Sequence, residues 1–290
     1  STKRRNGIGN IKMIKTKQEL KQRNIKPIKH RGQNFLISQE IIKKIIDSAQ
    51  IKAGEVVLEI GPGTGNLTEA LLKAGAEVVA VEKDENLFQL LKLKSQNPNL
   101  KIIEGDILKF DETQIKPPYR VIANIPYYLT GALIQKFLLS PNRPSQMILM
   151  TQKEVGERIT ARPPRANYLS SLVQFLADAE ILFGVKKENF WPQPKVDSVI
   201  IKLTPHQRVM SLRSYARDTS GARDKKFIEF LRVVFRQPRQ TLFNNLRKQG
   251  AVSSDKLDLI FNKLGFDKKI RPQNLNQEKL LELFQSIMVY

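Results

Sequence analysis

Asn124-Ile125-Pro126-Tyr127 stands directly after the apolar run Val121-Ile122-Ala123. A side-chain amide, a proline carbonyl and an aromatic ring at the end of a buried strand suit one chemical task. They can hold a planar exocyclic amine, such as the N6 of adenine, whose lone pair is delocalised into its ring. The Asn124 amide oxygen and the Pro126 carbonyl would accept the two amine hydrogens and draw the nitrogen toward a tetrahedral, nucleophilic form. Tyr127 would hold the base by stacking, worth about 1–3 kcal/mol per base. Proline suits its place because φ is preset and no N–H competes there. The competing reading of the tetrapeptide is an ordinary Asn-X-Pro turn after a strand.

A methyl donor pocket is legible upstream. Val56-Val57-Leu58-Glu59-Ile60 reads as a buried strand running into Gly61-Pro62-Gly63-Thr64-Gly65, followed by a helix with Leu67, Ala70, Leu71 and Ala74 apolar. Strand, glycine turn and helix form the first unit of a doubly wound sheet, whose ligands sit at the strands' carboxyl ends. The dinucleotide version of the turn requires a third glycine where this chain has Asn66. Gly61 and Gly63 instead let the backbone approach a nucleoside closely. The next apolar strand, Glu77 to Val81, ends in Glu82, placed to accept both ribose hydroxyls. Lys101-Ile102-Ile103 ends in Glu104-Gly105-Asp106-Ile107, where Asp106 can accept from an adenine amine. Each acid alone is a solvated strand end; the ordered set describes a pocket for S-adenosylmethionine.

Five blocks in order, Gly32-Gln33-Asn34-Phe35-Leu36, Glu59 to Gly65, Asn124 to Tyr127, Gln152-Lys153-Glu154 and Phe190-Trp191-Pro192-Gln193-Pro194-Lys195-Val196-Asp197-Ser198, resemble the ribosomal RNA adenine N6,N6-dimethyltransferases, and among them the bacterial small-subunit branch. The resemblance spans roughly residues 29 to 287. It implies a cofactor set of Asn34, Leu36, Glu59, Gly61, Gly63, Glu82, Asp106, Ile107 and Asn124. It makes Asn124, Pro126 and Tyr127 the catalytic group and Phe190 a second wall sandwiching the adenine against Tyr127. Read from the residues alone, Phe190 and Trp191 are core aromatics before a Pro-rich turn. Three departures stand out: Tyr128-Leu129-Thr130-Gly131 where the family has Asn or His then Ile-Ser-Thr, Ser170 where a basic contact is usual, and Thr151 in place of a leucine. The implied substrate is small-subunit rRNA in an immature ribosomal particle. A large-subunit resistance-type enzyme and a non-catalytic assembly or transcription factor are the rivals. A DNA adenine or protein-glutamine methyltransferase would carry proline where position 125 is Ile.

The elements that must position these groups follow from pattern. Ile41, Ile42, Ile45, Ile46 and Ala49 mark a helix over Gln39 to Ala49. Strands at Val56–Ile60, Glu77–Val81, Lys101–Ile103, Arg120–Ala123 and Gln146–Met150 alternate with helical segments, which predicts a mostly parallel sheet covered on both faces. Ala179–Gly184 and Ser198–Leu203 read as a hairpin closing one edge, so the expected fold class is α/β, a seven-stranded Rossmann-like methyltransferase fold. Stripes at Phe227, Phe230, Leu231, Val234 and Phe235, at Leu257, Ile260, Phe261 and Leu264, and at Leu280, Leu283, Phe284 and Ile287 predict a small all-α domain, with Asn276 as a helix cap. The expected domains are a basic extension (1–31), a methyltransferase domain (32–205) and a helical RNA-binding domain (206–290).

Charge supports a polyanionic partner. Lys and Arg number 49 against 28 acids, a formal +21 with pI near 10.1, a balance that speaks to partners rather than to fold. Residues 1–31 hold eleven basic residues and one acid, Glu19; residues 206–250 hold eleven against Asp218, Asp224 and Glu229. Cysteine is absent, which excludes disulfides, thiolate nucleophiles and Cys-based zinc sites. With only His30 and His206, no metal and no His-based triad is expected. No apolar run approaches the roughly 18–20 residues of a membrane span, and the start lacks a signal-peptide apolar core. A cytoplasmic, monomeric enzyme is the expectation. The Lys-rich start, with one serine, speaks against a mitochondrial presequence.

Overall fold

The computed structural model describes residues 27, 32–94, 96–206, 222–248 and 252–289. The basic extension lies outside the described residues apart from Pro27, and so does most of the 206–223 stretch. Compactness divides the chain into two units: residues 1–156 with 180–205, and residues 157–179 with 206–290.

The first unit carries the expected sheet. Its strands are β2 (Val56–Ile60), β3 (Glu77–Glu82), β4 (Leu100–Glu104), β5 (Tyr119–Asn124), β6 (Gln146–Gln152), β7 (Ala177–Val185) and β9 (Ser198–Pro205), in the order β4-β3-β2-β5-β6-β9-β7. β2 to β6 pair in parallel, in registers such as Leu58 with Val79 and Val121. β9 runs antiparallel to β6, Met150 facing Ile200. The reversal of strand order lies between β2 and β5, where doubly wound sheets bind ligands. Continuous apolar runs explain the central strands: Val57, Leu58, Val121 and Met147 are fully buried, as strands covered on both faces must be.

Helix α1 (Gln39–Ala49) starts where the Ser38 hydroxyl accepts from the Ile41 N–H at 3.3 Å, and it buries Ile41, Ile42, Ile45 and Ala49. α2 (Asn66–Lys73) begins directly after Gly65, whose φ of +84° suits glycine. Beyond α3 (Glu85–Lys94) and α4 (Thr130–Leu139), α5 (Lys153–Ile159) passes so close to β9 that a Cβ on Gly156 would sit 2.3 Å from the Val199 methyl.

Phe190 and Trp191, expected in a loop, form a two-residue strand, β8. It pairs antiparallel with β1 (Phe35–Leu36), Phe35 opposite Trp191 and Leu36 opposite Phe190. The first and last motif blocks of the methyltransferase region are thereby joined by backbone hydrogen bonds, and Phe35 and Trp191 stack at 6.4 Å.

The second unit is helical: α6 (Tyr168–Leu176), α7 (Ala222–Val234), α8 (Leu242–Lys248), α9 (Ser254–Lys263) and α10 (Gln277–Val289). The sequence reading grouped residues 157–179 with the sheet. Helix α6 packs with the C-terminal helices instead, since the Phe175 ring lies 4.5 Å from that of Phe227, which also meets Phe230 and Phe284. Phe227, Leu257, Ile260, Phe261 and Leu283 are completely buried, so these stripes are core. Asn276 accepts from the Lys279 N–H at 2.9 Å, the cap at the start of α10.

Candidate active site

The carboxyl ends of β2, β3, β4 and β5 open into one cleft, bounded on another side by residues 32–36. Asn34, Leu36, Glu59, Gly61, Gly63, Glu82, Asp106, Ile107, Asn124, Pro126 and Tyr127 all line it. Phe190 does not.

The glycine turn is shaped by its neighbours. Gly61 and Gly63 have φ of +63° and +59°, the left-handed region that a side chain rarely tolerates. A Cβ on Gly63 would also press on the Phe35 ring at 3.1 Å. Asn66, where a dinucleotide turn would have its third glycine, donates from Nδ2 to the Leu36 carbonyl at 2.9 Å. It thereby ties the start of α2 to the wall formed by residues 32–36.

Two buried acids, Glu59 on β2 and Glu82 at the end of β3, flank this turn. Glu82 is 5% exposed; its Oε2 accepts from the Gly63 N–H at 3.0 Å and its Oε1 from the Asp84 N–H at 2.8 Å. Burial raises its pKa against the pull of those donors. Glu59 is 1% exposed, and burial, with the Glu82 charge adding to it, pushes its pKa up to about 8. Thr68 is the neighbour that opposes the shift, yet no well-aligned hydrogen bond reaches the buried Oε2. Ionising so buried an acid is costly, so without a cation beside it Glu59 keeps its proton at neutral pH, and a cationic ligand in the cleft would favour the carboxylate. Asp106 is differently placed. It is held below the usual carboxylate range, chiefly by the Lys83 ammonium at 2.8 Å, and its Oδ1 accepts from the Leu108 N–H. The donor set therefore suits S-adenosylmethionine: Glu59 for its cationic end, Glu82 for vicinal hydroxyls and Asp106 for an exocyclic amine.

Asn124 ends β5. Its Nδ2 donates to the Asn34 carbonyl at 2.9 Å, so its Oδ1 is the atom left to accept. The Pro126 carbonyl accepts from the Leu129 N–H at 2.9 Å, closing a 3₁₀ turn over Tyr127–Leu129; its second lone pair remains for another donor. The Tyr127 hydroxyl meets the Ser198 hydroxyl at 2.9 Å, which pins the ring from its far end, and burial raises its pKa. Two of the family departures meet one another here, for the Thr130 and Thr151 hydroxyls are 2.9 Å apart and buried. Ser170, the third, is fully buried and forms a reciprocal cap with Asn167. It has no free surface for a contact with RNA.

Phe190 needs correction. Its side chain is 0% exposed and belongs to the core cluster with Leu36, Ile41, Ile42, Ile45 and Ile200. The structure therefore follows the core-aromatic reading: Phe190 sits beside Leu36 on the paired strand, and its ring is packed in the core rather than on the cleft lining.

Residues the sequence reading passed over include Phe35, Asn66, Asp84 and Ser198. Asp84 accepts from Gln33 Nε2 at 3.2 Å and from the Asn86 and Leu87 N–H groups, joining β3's end, α3 and the 32–36 wall. The Asp-Glu-Asn run at 84–86 was a legible cap signal. Nothing local marked Ser198 as Tyr127's partner, 71 residues away.

A family model described as ribosomal RNA adenine dimethylase matches residues 26–288. The chain belongs to the ribosomal RNA adenine dimethylase family. It is 36% identical to the ribosomal RNA small subunit methyltransferase A of Lactobacillus acidophilus, over 94% of this chain and 96% of that protein. Among solved structures it is similar to a dimethyladenosine transferase from Plasmodium falciparum, with 28% identity, TM-score 0.68, and 85% of this chain and 94% of that one covered. The 23S rRNA methyltransferase ErmE has the same fold, with TM-score 0.68 at 24% identity, over 88% of this chain and 100% of that one. These matches give the chain a methyltransferase fold and S-adenosylmethionine as its cofactor.

Proposed function

We propose that this chain dimethylates the N6 of adenosines in small-subunit ribosomal RNA, using the cleft described above. One observation carries the assignment of roles. Asn124 shares its cleft with Glu59, Glu82 and Tyr127, and its amide nitrogen is already engaged, so its oxygen is the group offered to an incoming amine. When bound, S-adenosylmethionine supplies an electrophilic methyl on a sulfonium.

Glu82 would hold the ribose hydroxyls, Glu59 would face the cationic end, and Asp106, now paired with Lys83, would accept from the adenine of the cofactor. Asn34, Leu36, Gly61, Gly63 and Ile107 enclose it. Asn124 Oδ1 and the free lone pair of the Pro126 carbonyl accept the two N6 hydrogens and aim the nitrogen lone pair at the methyl. Tyr127, pinned by Ser198, supplies a fixed stacking face. Extruding the adenosine costs a few kcal/mol, least where it is unpaired. Positioning and preorganised acceptors supply the acceleration, and the methylated ammonium gives its proton to solvent without a dedicated base.

The two basic segments, 1–31 and 206–250, bind phosphates of the immature small subunit, and the helical unit takes part in RNA binding. On this reading the enzyme works as a monomer in the cytoplasm, where its ribosomal substrate is assembled. Among the described residues no helix is long and apolar enough to cross a membrane.

The test is methyl transfer from labelled S-adenosylmethionine to immature small subunits and to free RNA, followed by nucleoside analysis. N6,N6-dimethyladenosine is the expected product. Label in another base, or in large-subunit RNA alone, would overturn the reading.

A further inference from the structure

Every aromatic ring among the described residues is buried or half-buried except one. Tyr128 is 62% exposed. It stands on the lining of the active-site cleft, directly after Tyr127, where the family resemblance leads one to expect Asn or His. Its ring passes Gly32 so closely that a Cβ there would lie 3.9 Å from Cδ1 and Cε1. An exposed tyrosine face at the mouth of a cleft leaves a large apolar surface in water without a partner from the protein.

The 3₁₀ turn over Tyr127–Leu129 determines what Tyr128 can touch. With three residues per turn, successive side chains diverge by roughly 120°. Tyr127, anchored to Ser198, faces into the cleft, so Tyr128 cannot lie on the same base. Phe190, packed in the core beside Leu36, offers no exposed face either.

Building on the proposed function, we infer that Tyr128 is a stacking platform for the unpaired nucleobase next to the adenosine being methylated. It holds the RNA at the rim while Tyr127 holds the target inside. Stacking accepts any base, because every base has a π-face, so Tyr128 governs how well a substrate with an unpaired neighbour is held rather than which base that neighbour is.

Tyr128→Ala, Tyr128→Phe and Tyr128→Trp would be compared with the parent protein in steady-state methyl transfer to immature small subunits. The alanine variant should raise KM about 5- to 150-fold, the range to which 1–3 kcal/mol of base stacking corresponds. Its kcat should stay near the parent value, and Phe and Trp should restore KM. Calorimetric affinity for S-adenosylmethionine should be the same in all four proteins. A second measurement uses single-stranded RNA with one adenosine flanked on one side by 2-aminopurine, whose fluorescence falls on stacking. Quenching by the parent, Phe and Trp proteins, lost in the alanine variant, is expected for one flank. A parent-like KM together with unchanged quenching in Tyr128→Ala would overturn the inference while leaving the proposed function standing. A parent protein that methylates no adenosine would instead remove the function on which the inference rests.

Discussion

Glu82→Gln probes the cofactor end of the site, and its consequences can be worked from two hydrogen bonds. The carboxylate accepts from the Gly63 N–H at 3.0 Å and from the Asp84 N–H at 2.8 Å, with 5% of the residue exposed. Glutamine keeps one acceptor oxygen but turns an NH₂ toward the other N–H. One buried donor then loses its partner, a cost of about 1–3 kcal/mol in stability. Glu82→Ala strands both donors and should cost roughly twice that, 2–6 kcal/mol. The cofactor loses a charged acceptor for its hydroxyls in either variant, a loss on the scale of about 1.5–3 kcal/mol, or roughly 10- to 150-fold in Kd. Calorimetry with S-adenosylmethionine, thermal unfolding of the cofactor-free protein and RNA binding would be measured together. Affinity for the cofactor should fall similarly in both variants, stability should fall further in alanine than in glutamine, and RNA affinity should hold. A glutamine variant that binds the cofactor as tightly as the parent would show that Glu82 only braces the turn.

Asn124→Ala should abolish methyl transfer with little loss of RNA affinity, because the side chain meets the amine and the Asn34 carbonyl rather than phosphate; parent-like turnover would end the assigned mechanism. Glu59 bears on pH: its pKa is raised from 4.5 to about 8 by burial, so the folded protein keeps a proton that the unfolded chain releases. Its stabilising effect is complete below about pH 4.5 and is lost as pH rises through 8. In the absence of cofactor, Glu59→Gln should therefore lose less Tm than the parent between pH 5 and 8.5, and parallel Tm curves would contradict this. Phe190→Ala should destabilise by about 3–5 kcal/mol as a core truncation, read by denaturant unfolding, while the folded fraction keeps the parent ratio of mono- to dimethyladenosine; a changed ratio at parent stability would restore Phe190 as a wall against the base. Deleting residues 1–28 should lower the log–log salt slope of RNA binding by roughly 2–3, given three or four phosphate contacts at about 0.7–0.9 each, and an undiminished slope would shift that role to Arg208 through Lys248.

Local pattern was enough for the sheet and for most of the cleft. Continuous apolar runs must be buried on both faces, glycines must stand where φ is positive, and an acid at the end of a parallel strand falls at the ligand-binding edge. Hence Glu59, Gly61, Gly63, Glu82, Asp106 and Asn124 converge on one cavity as their positions at strand ends required. The C-terminal stripes were legible for the same reason, since a 3.6-residue period has to be buried somewhere. Short α8 escaped notice because seven residues carry too little periodicity to read. Long-range contacts were decided only by the fold. Whether Phe190 faces a base or the core depends on a ladder with Leu36, 154 positions earlier in the chain, and the Phe190–Ser198 block reads the same either way. The orientation of Asn124 depends on a carbonyl 90 residues away, and the anchoring of Tyr127 on a hydroxyl 71 residues away. A sequence specifies which groups are present and which local backbone they prefer. Which of two apolar or polar partners each meets is settled by packing among elements that become neighbours only in the folded chain.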